Sequence, residues 1–218
     1  MTHLLSKLEP ADTTSKVRRV RSDALRNREA ILDAARRTFE VEGVMASLDG
    51  IAVLAGVGNA TLYRNFPTRD DLLAAVIQSS FEDALAYGQG LSAALDPGPA
   101  LAEWLVGLAW RLHIWHDLPY CLASAHADPS ASLNDSNRPM IKETERLLQA
   151  AQAGDQAAVA ISADEVFELV LALSWAIDRY GDTEAVARRR VMIGTVGVFV
   201  PPTGPGVVPD LTVPEPRP

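Results

Sequence analysis

"AGVGNATLYRNFPTRDDLL", residues 55–73, decides how the rest of the chain is read. Two glycines precede a short run in which Leu62 and Phe66 can turn inward, leaving Asn59, Ala60, Thr61, Tyr63 and Arg64 on the opposite face. Gly56 permits a tight turn where a side chain would clash, and Pro67 stops the helix before it. Upstream, Ser47 is suited to cap a short helix over about 48–55, with Ile51, Ala52 and Leu54 apolar. Two short helices joined by a glycine turn form a helix-turn-helix, the second helix predicted over about 58–65. On its outer face Asn59 and Thr61 can hydrogen-bond base edges, while Tyr63 and Arg64 can reach phosphates. Small residues at 58–61 let the helix N-terminus approach a groove, where its N–H groups favour phosphate oxygens.

Helical spacing continues on both sides. From Asn27, the residues Ile31, Ala34, Ala35, Thr38 and Phe39 form one stripe that ends at Gly43. Thr68 caps a long bridging helix, about 68–88, with Leu72, Leu73, Val76, Ile77, Phe81 and Ala84 on one side. "DPGP" (96–99) interrupts the pattern before a tryptophan-rich helix over about 99–116, and Pro119 starts another to about 126. "HADPSASLNDSNRP" (126–139) reads as turns, followed by a helix over about 139–153. Ser162 caps a strongly apolar helix with acids in its first turn and Arg179 in its last, matching the helix dipole. Thr183 caps the final helix, about 183–198. No strand alternation persists, so the expected class is all-α with about nine helices. The expected division is a flexible basic arm (1–24), a helix-turn-helix head (25–67), a helical body (68–199) and a Pro-rich disordered tail (200–218).

The chain has 218 residues, 48% of them hydrophobic, and a net charge of −8. That average hides an asymmetry. Residues 16–37 carry 8 basic and 3 acidic side chains, while 71–218 carry 9 and 19. A basic segment on an acidic body suggests that only the N-terminal part meets a polyanion. No window holds the roughly 18 uninterrupted apolar residues of a membrane span, and the N-terminus lacks the order of a signal peptide. The single cysteine, Cys121, cannot form an internal disulfide and fits a reducing compartment. A cytoplasmic protein without membrane partner is expected.

The segments "ILDAARRTFEVEG", "IAVLAGV" and "TLYRNFPTRDDLL", in fixed order over about 50 residues, resemble the DNA-binding domain of the tetracycline-repressor (TetR) family of bacterial regulators. The resemblance implies a homodimer with a small DNA-binding head, a ligand-binding and dimerisation body, and repression relieved by a small molecule. By position it implies that Asn59, Ala60, Thr61, Tyr63, Arg64 and Asn65 form the recognition face. It also implies that Ser47, Arg69 and Arg28 contact phosphates. The chain departs from the family's habit at Gly58, where Ser commonly caps the recognition helix, at Asn59, where Lys is frequent, and at Asn65, where His or Tyr is usual. Gly50, inside the second helix, is expected to cost about 1 kcal/mol.

In the body, Trp104, Trp110, His113, Trp115, His116, Tyr120 and Cys121 cluster in sequence, with Phe167 and Trp175 on a later helix. These nine are the candidate lining of a pocket for a small hydrophobic or aromatic effector; the alternative is ordinary core. His113, His116, Asp117 and Cys121 lack a recognised metal-ligand spacing, so neither metal nor cofactor is expected. Val166, Leu169, Val170, Leu173 and Ile177, with Val186, Val191, Ile193, Val196 and Val198, suggest a homodimer seam in the last two helices (about 162–198); the alternative is a buried hairpin within the monomer. No nucleophile elbow, phosphate loop or acid pair appears, so an enzyme is not expected. A ligand-independent architectural DNA-binding protein is the alternative to a ligand-responsive repressor.

Overall fold

Ile31, Ala34, Ala35 and Phe39 are all buried, and this stripe carries the second half of α1 (Thr13–Glu42). The computed structural model describes residues 13–128 and 130–199. The helix therefore starts well before Asn27, and the arm expected over 1–24 is helical from Thr13. Its first turns need no apolar stripe, because each added residue extends a helix that is already nucleated downstream. Residues 1–12 and the expected tail over 200–218 lie outside the described residues.

Gly43 ends α1 with φ +81°, and Ser47 caps α2 (Leu48–Leu54) by accepting the Gly50 N–H at 3.4 Å. Gly56, at φ +68°, makes the turn into α3 (Asn59–Asn65). Ile51, Ala52, Leu62 and Phe66 close the core of this three-helix unit against α1. Thr68 and Asp71 then form a reciprocal capping box for α4 (Arg69–Ala94), which runs beyond the expected end near 88.

The body comprises α4, α5 (Pro97–Leu112), α6 (Leu118–His126), α7 (Ser132–Ala153), α8 (Ala163–Tyr180) and α9 (Glu184–Gly194), with a short 3-10 turn at Val196–Val198. Among the described residues there are nine α-helices and no strand, only an isolated bridge between Ala157 and Phe199. The all-α expectation holds. Besides the end of α4, three boundaries differ. α9 stops at Gly194 rather than about 198, giving way to the 3-10 turn. α5 ends at Leu112, which puts Trp115 and His116 in the following loop. α7 begins at Ser132, inside the segment read as turns, because Leu133, Asn137 and Met140 are buried one turn apart. Asn137 tolerates burial by donating to the Leu122 carbonyl at 3.0 Å.

α5 is the central post, packed by α4, α7, α8 and α9. Its Trp104 is fully buried and donates through Nε1 to Thr144 on α7 at 2.9 Å. α4 passes close beside it at Gly88: a Cβ there would lie 2.8 Å from Glu143 Oε1 and 2.9 Å from Trp104 Cζ3. The head joins the body where Phe39 packs on Trp115, ring centroids 5.7 Å apart, and where Val44 N–H donates to the His116 carbonyl at 3.0 Å. No helix among the described residues is long and apolar enough to cross a membrane.

Candidate nucleic-acid interface and body cavities

α3 is short and its burial is one-sided. Leu62 is fully buried, Thr61 and Asn65 are half-buried, and Asn59, Ala60, Tyr63 and Arg64 are exposed. The structure thus brings the whole expected recognition set onto one helix. Gly58 occupies the N-cap in extended conformation and supplies no side-chain hydrogen bond, so the helix N-terminus keeps its free N–H groups. Arg64 Nη2 lies 3.4 Å from Thr61 Oγ1, and Asn65 donates to the Thr61 carbonyl at 2.8 Å. Asn59 donates to Asp49 on α2. Sequence reading passed over Asp49, whose role depends on the angle between the two helices.

The three expected phosphate contacts differ in what holds them. Ser47 is exposed at the start of α2, with its hydroxyl also serving as cap. Arg28 lies over the Phe66 ring, 4.4 Å from its centroid, and is half-exposed at the edge of the head. Arg69 is anchored within the protein through Nη1, which donates to the carbonyls of Val44 (2.6 Å) and Ala46 (2.7 Å). These carbonyls belong to the turn after α1, so Arg69 ties that turn to α4.

The nine candidate effector residues do not share one cavity. Trp104 and Phe167 are fully buried core, and Trp115 is buried beneath the head. His116 lies near the junction between head and body, with Nδ1 3.0 Å from Asp178 Oδ1, whose partner oxygen accepts the Asp117 N–H at 3.2 Å. The Asp178 carboxylate holds the His116 pKa above its ordinary value. Cys121, with Sγ 3.9 Å from Met45 Sδ, has its thiol pushed up to about 11 by burial, so it is a neutral thiol. The metal alternative weighed on sequence therefore changes composition: His116 and Asp117 group with Asp178, their donor atoms within 4.8 Å of one another.

The remaining four divide between two openings. Tyr120 and Trp175, 57% and 44% exposed, face each other across a groove of about 540 Å³ between α6 and α8. His126 and Glu168 provide its polar groups, 3.4 Å apart. Trp110 and His113, with ring centroids 4.0 Å apart and planes tilted by 43°, line a larger cleft of about 640 Å³ between α4, α5 and α9. Tyr87, Gly107 and Arg111 complete its floor and one wall. The sequence offered a weak signal here, since Gly107 and Arg111 stand one helical turn apart.

The expected seam residues also separate. Val166, Val170, Ile177, Val191 and Val198 are buried within the protomer and belong to its own core. Leu169 and Leu173 are half-buried, and Val186, Ile193 and Val196 are exposed, the last two at 62% and 71%. α9 presses directly on α8, since a Cβ on Gly194 would lie 2.7 Å from Leu173 Cδ2. The free face is therefore narrower than the sequence suggested but still apolar.

Two family profiles match. One described as "Bacterial regulatory proteins, tetR family" covers residues 31–76, and "Transcriptional regulator SbtR-like, C-terminal domain" covers residues 96–198. A helix-turn-helix-type transcriptional regulator of Staphylococcus aureus (strain bovine RF122 / ET3-1) is 43% identical over 60 residues, which is 27% of this chain and 32% of that protein. The chain thus spans about a third of the length of the curated relatives it matches. Among solved structures, a TetR transcriptional regulator from Streptomyces coelicolor is 30% identical with a TM-score of 0.52, over 79% of this chain and 98% of that one. The ketosteroid transcriptional regulator of Mycobacterium tuberculosis shares the fold at 17% identity and a TM-score of 0.55, over 80% of this chain and 95% of that one.

Proposed function

This chain belongs to the TetR family of helix-turn-helix transcriptional regulators, and from that premise we propose that it is a repressor released from its operator by a small effector. The observation that carries the reading is the one-sidedness of α3, which buries Leu62 and leaves Asn59, Ala60, Tyr63 and Arg64 facing out. Two such heads in a homodimer, joined through the last two helices, would enter successive major grooves of a pseudo-palindrome. Its half-sites would lie one helical turn apart, about 34–36 Å. Asn59 and Thr61 read base edges, while Tyr63, Arg64, Ser47 and Arg28 hold phosphates.

The division of labour is a head over 25–67 and a body over 68–199, in a cytoplasmic protein. α4 joins them, with Arg69 gripping the head at one end and Tyr87 lining the body cleft towards the other. An effector with higher affinity for one α4 position shifts the head spacing, and it acts only through that difference in affinity. Its shape is small, and hydrophobic or aromatic, to match the two openings.

The test is a mobility shift with DNA from upstream of the protein's own gene. A sequence-specific shift is expected, relieved by an effector. No specific shift would overturn the reading, while a weak specificity ratio that no small molecule alters would favour a ligand-independent architectural role.

A further inference from the structure

The geometry points to the cleft between α4, α5 and α9 as a site for an aromatic carboxylate, with Arg111 as its anion anchor; the regulatory consequence rests on the effector reading above. The cleft is built around a missing side chain. A Cβ on Gly107 would lie 2.5 Å from Tyr87 Cε1 and 2.9 Å from Arg111 Nη1. Glycine therefore lets both groups lie against the α5 backbone. The Arg111 guanidinium stacks over the Tyr87 ring, 4.1 Å from its centroid, and Nη1 donates to the Gly107 carbonyl at 3.0 Å. Tyr87 is itself directed by its hydroxyl, 3.4 Å from the Glu103 carbonyl.

The cleft carries two carboxylates, Glu103 and Glu184, and two guanidiniums, Arg111 and Arg188, of which one pair is closed. Arg188 pairs with Glu103 through both ends of the guanidinium, one bond at 2.9 Å, and this partner holds the Glu103 carboxyl below its ordinary range. Glu184 also lies in the field of Arg188. Among the described residues no carboxylate is within ion-pair distance of Arg111. Its planar fork keeps donors suited to a carboxylate, and it is already oriented by the ring beneath it. The lining is also aromatic: the Trp110 and His113 rings lie against each other at a tilt of 43°, and His113 Nδ1–H donates to the Trp110 carbonyl. A guanidinium set beside indole and phenol surfaces suits a planar ring carrying one negative charge.

The site would remain accessible in a dimer. Glu184, Ala187 and Arg188 turn toward the cleft, whereas Arg189, Met192 and Ile193 line another side of α9, with Val196 of the 3-10 turn beside them. A ligand held on Arg111 and Tyr87 would touch α4 directly.

The test is titration of the full-length protein with benzoate, cinnamate and 2-naphthoate, and with their uncharged amides, followed by calorimetry and tryptophan fluorescence. At least one acid should bind once per chain and at least tenfold more tightly than its amide. Arg111→Gln should reduce the acid to the affinity of the amide, Arg111→Lys should retain a preference for the acid, and Lys142→Gln, which removes an exposed positive charge on α7 outside both openings, should change nothing. Equal binding of acid and amide, no binding of any acid, or an Arg111→Gln protein that folds and binds normally would overturn the proposal. The acid–amide comparison uses the wild-type chain and decides the matter even if Arg111→Gln does not fold. Operator release is measured separately. An acid that binds through Arg111 without releasing DNA leaves the site intact and contradicts that acid's role as effector. Release by a neutral compound, unaffected by Arg111→Gln and without acid binding, does the reverse.

Discussion

Asn59 donates its side-chain amide to the Asp49 carboxylate at 2.8 Å, tying the first residue of the recognition helix to the helix before it. The bond occupies one of the two amide N–H donors and fixes the amide, leaving Oδ1 as its acceptor for a base edge. In a major groove a fixed acceptor selects the amino groups of adenine or cytosine. Asp49 itself is exposed and adds a negative charge beside the DNA-facing surface. Asp49→Asn removes that charge and permits Asn59 to turn over. The expected result is tighter overall DNA binding with weaker discrimination at one base pair, where a mismatch otherwise costs about 1–3 kcal/mol. Competition binding against operators varied one position at a time checks this; mismatch costs unchanged at every position would contradict it.

Arg69 separates a structural role from a phosphate contact. Its two hydrogen bonds to the Val44 and Ala46 carbonyls predict that Arg69→Ala destabilises the junction between head and α4, by about 1.5–3 kcal/mol if charged-group values apply. The salt dependence of operator binding should stay the same, whereas loss of a phosphate contact would reduce its slope by about one. Thermal melts and binding isotherms at several salt concentrations distinguish the two.

The contrast between Arg69 and the recognition face explains what a sequence of this kind discloses. Ser47, Gly56, Leu62, Thr68 and Ser162 act within a turn of themselves, through caps, a positive φ or helical periodicity, and their roles were legible. Arg69 reaches carbonyls more than twenty residues away, and Asn59 is fixed by the crossing of two helices. The tryptophans failed for the same reason: spacing gives the face of α5 that each occupies, but not which neighbour covers it. Trp104 meets α7 and becomes core, while Trp110 meets the open cleft beside α9. The start of α7 was hidden because Ser132, Asn134 and Asp135 are turn-formers by composition. Burial of Leu133 and Asn137 overrides that preference.

His116 predicts a pH dependence. Its side-chain bond to Asp178 raises its folded-state pKa, followed by the charges of Asp178 and Asp117, with burial and Arg179 opposing. Because the folded value exceeds the unfolded one, near 6.5, the contribution to stability is full below that value. It is lost as pH rises through the folded pKa. The midpoint of thermal unfolding of wild type relative to His116→Gln should therefore be highest below pH 6.5 and the difference should shrink as pH rises above it. The ring is half exposed, so the effect is small. A difference that grows with pH would reverse the assignment.

The exposed face of α9 supplies the last expectation. Met192, Ile193 and Val196 project an apolar strip beside the half-buried Leu169 and Leu173 of α8, and α9 cannot sink further because Gly194 already abuts Leu173. In the proposed dimer such a strip is the natural seam, and a stable one needs on the order of 1,000 Å² or more in total. Ile193→Glu would place an unpaired carboxylate in its dry centre, a penalty that should weaken the dimer by about a hundredfold or more. Sedimentation should show a monomer with undiminished helix content. Operator binding should collapse, because each head alone covers one half-site and the gain from linking two is lost. An Ile193→Glu protein that remains dimeric and binds operator normally would place the seam elsewhere on the body.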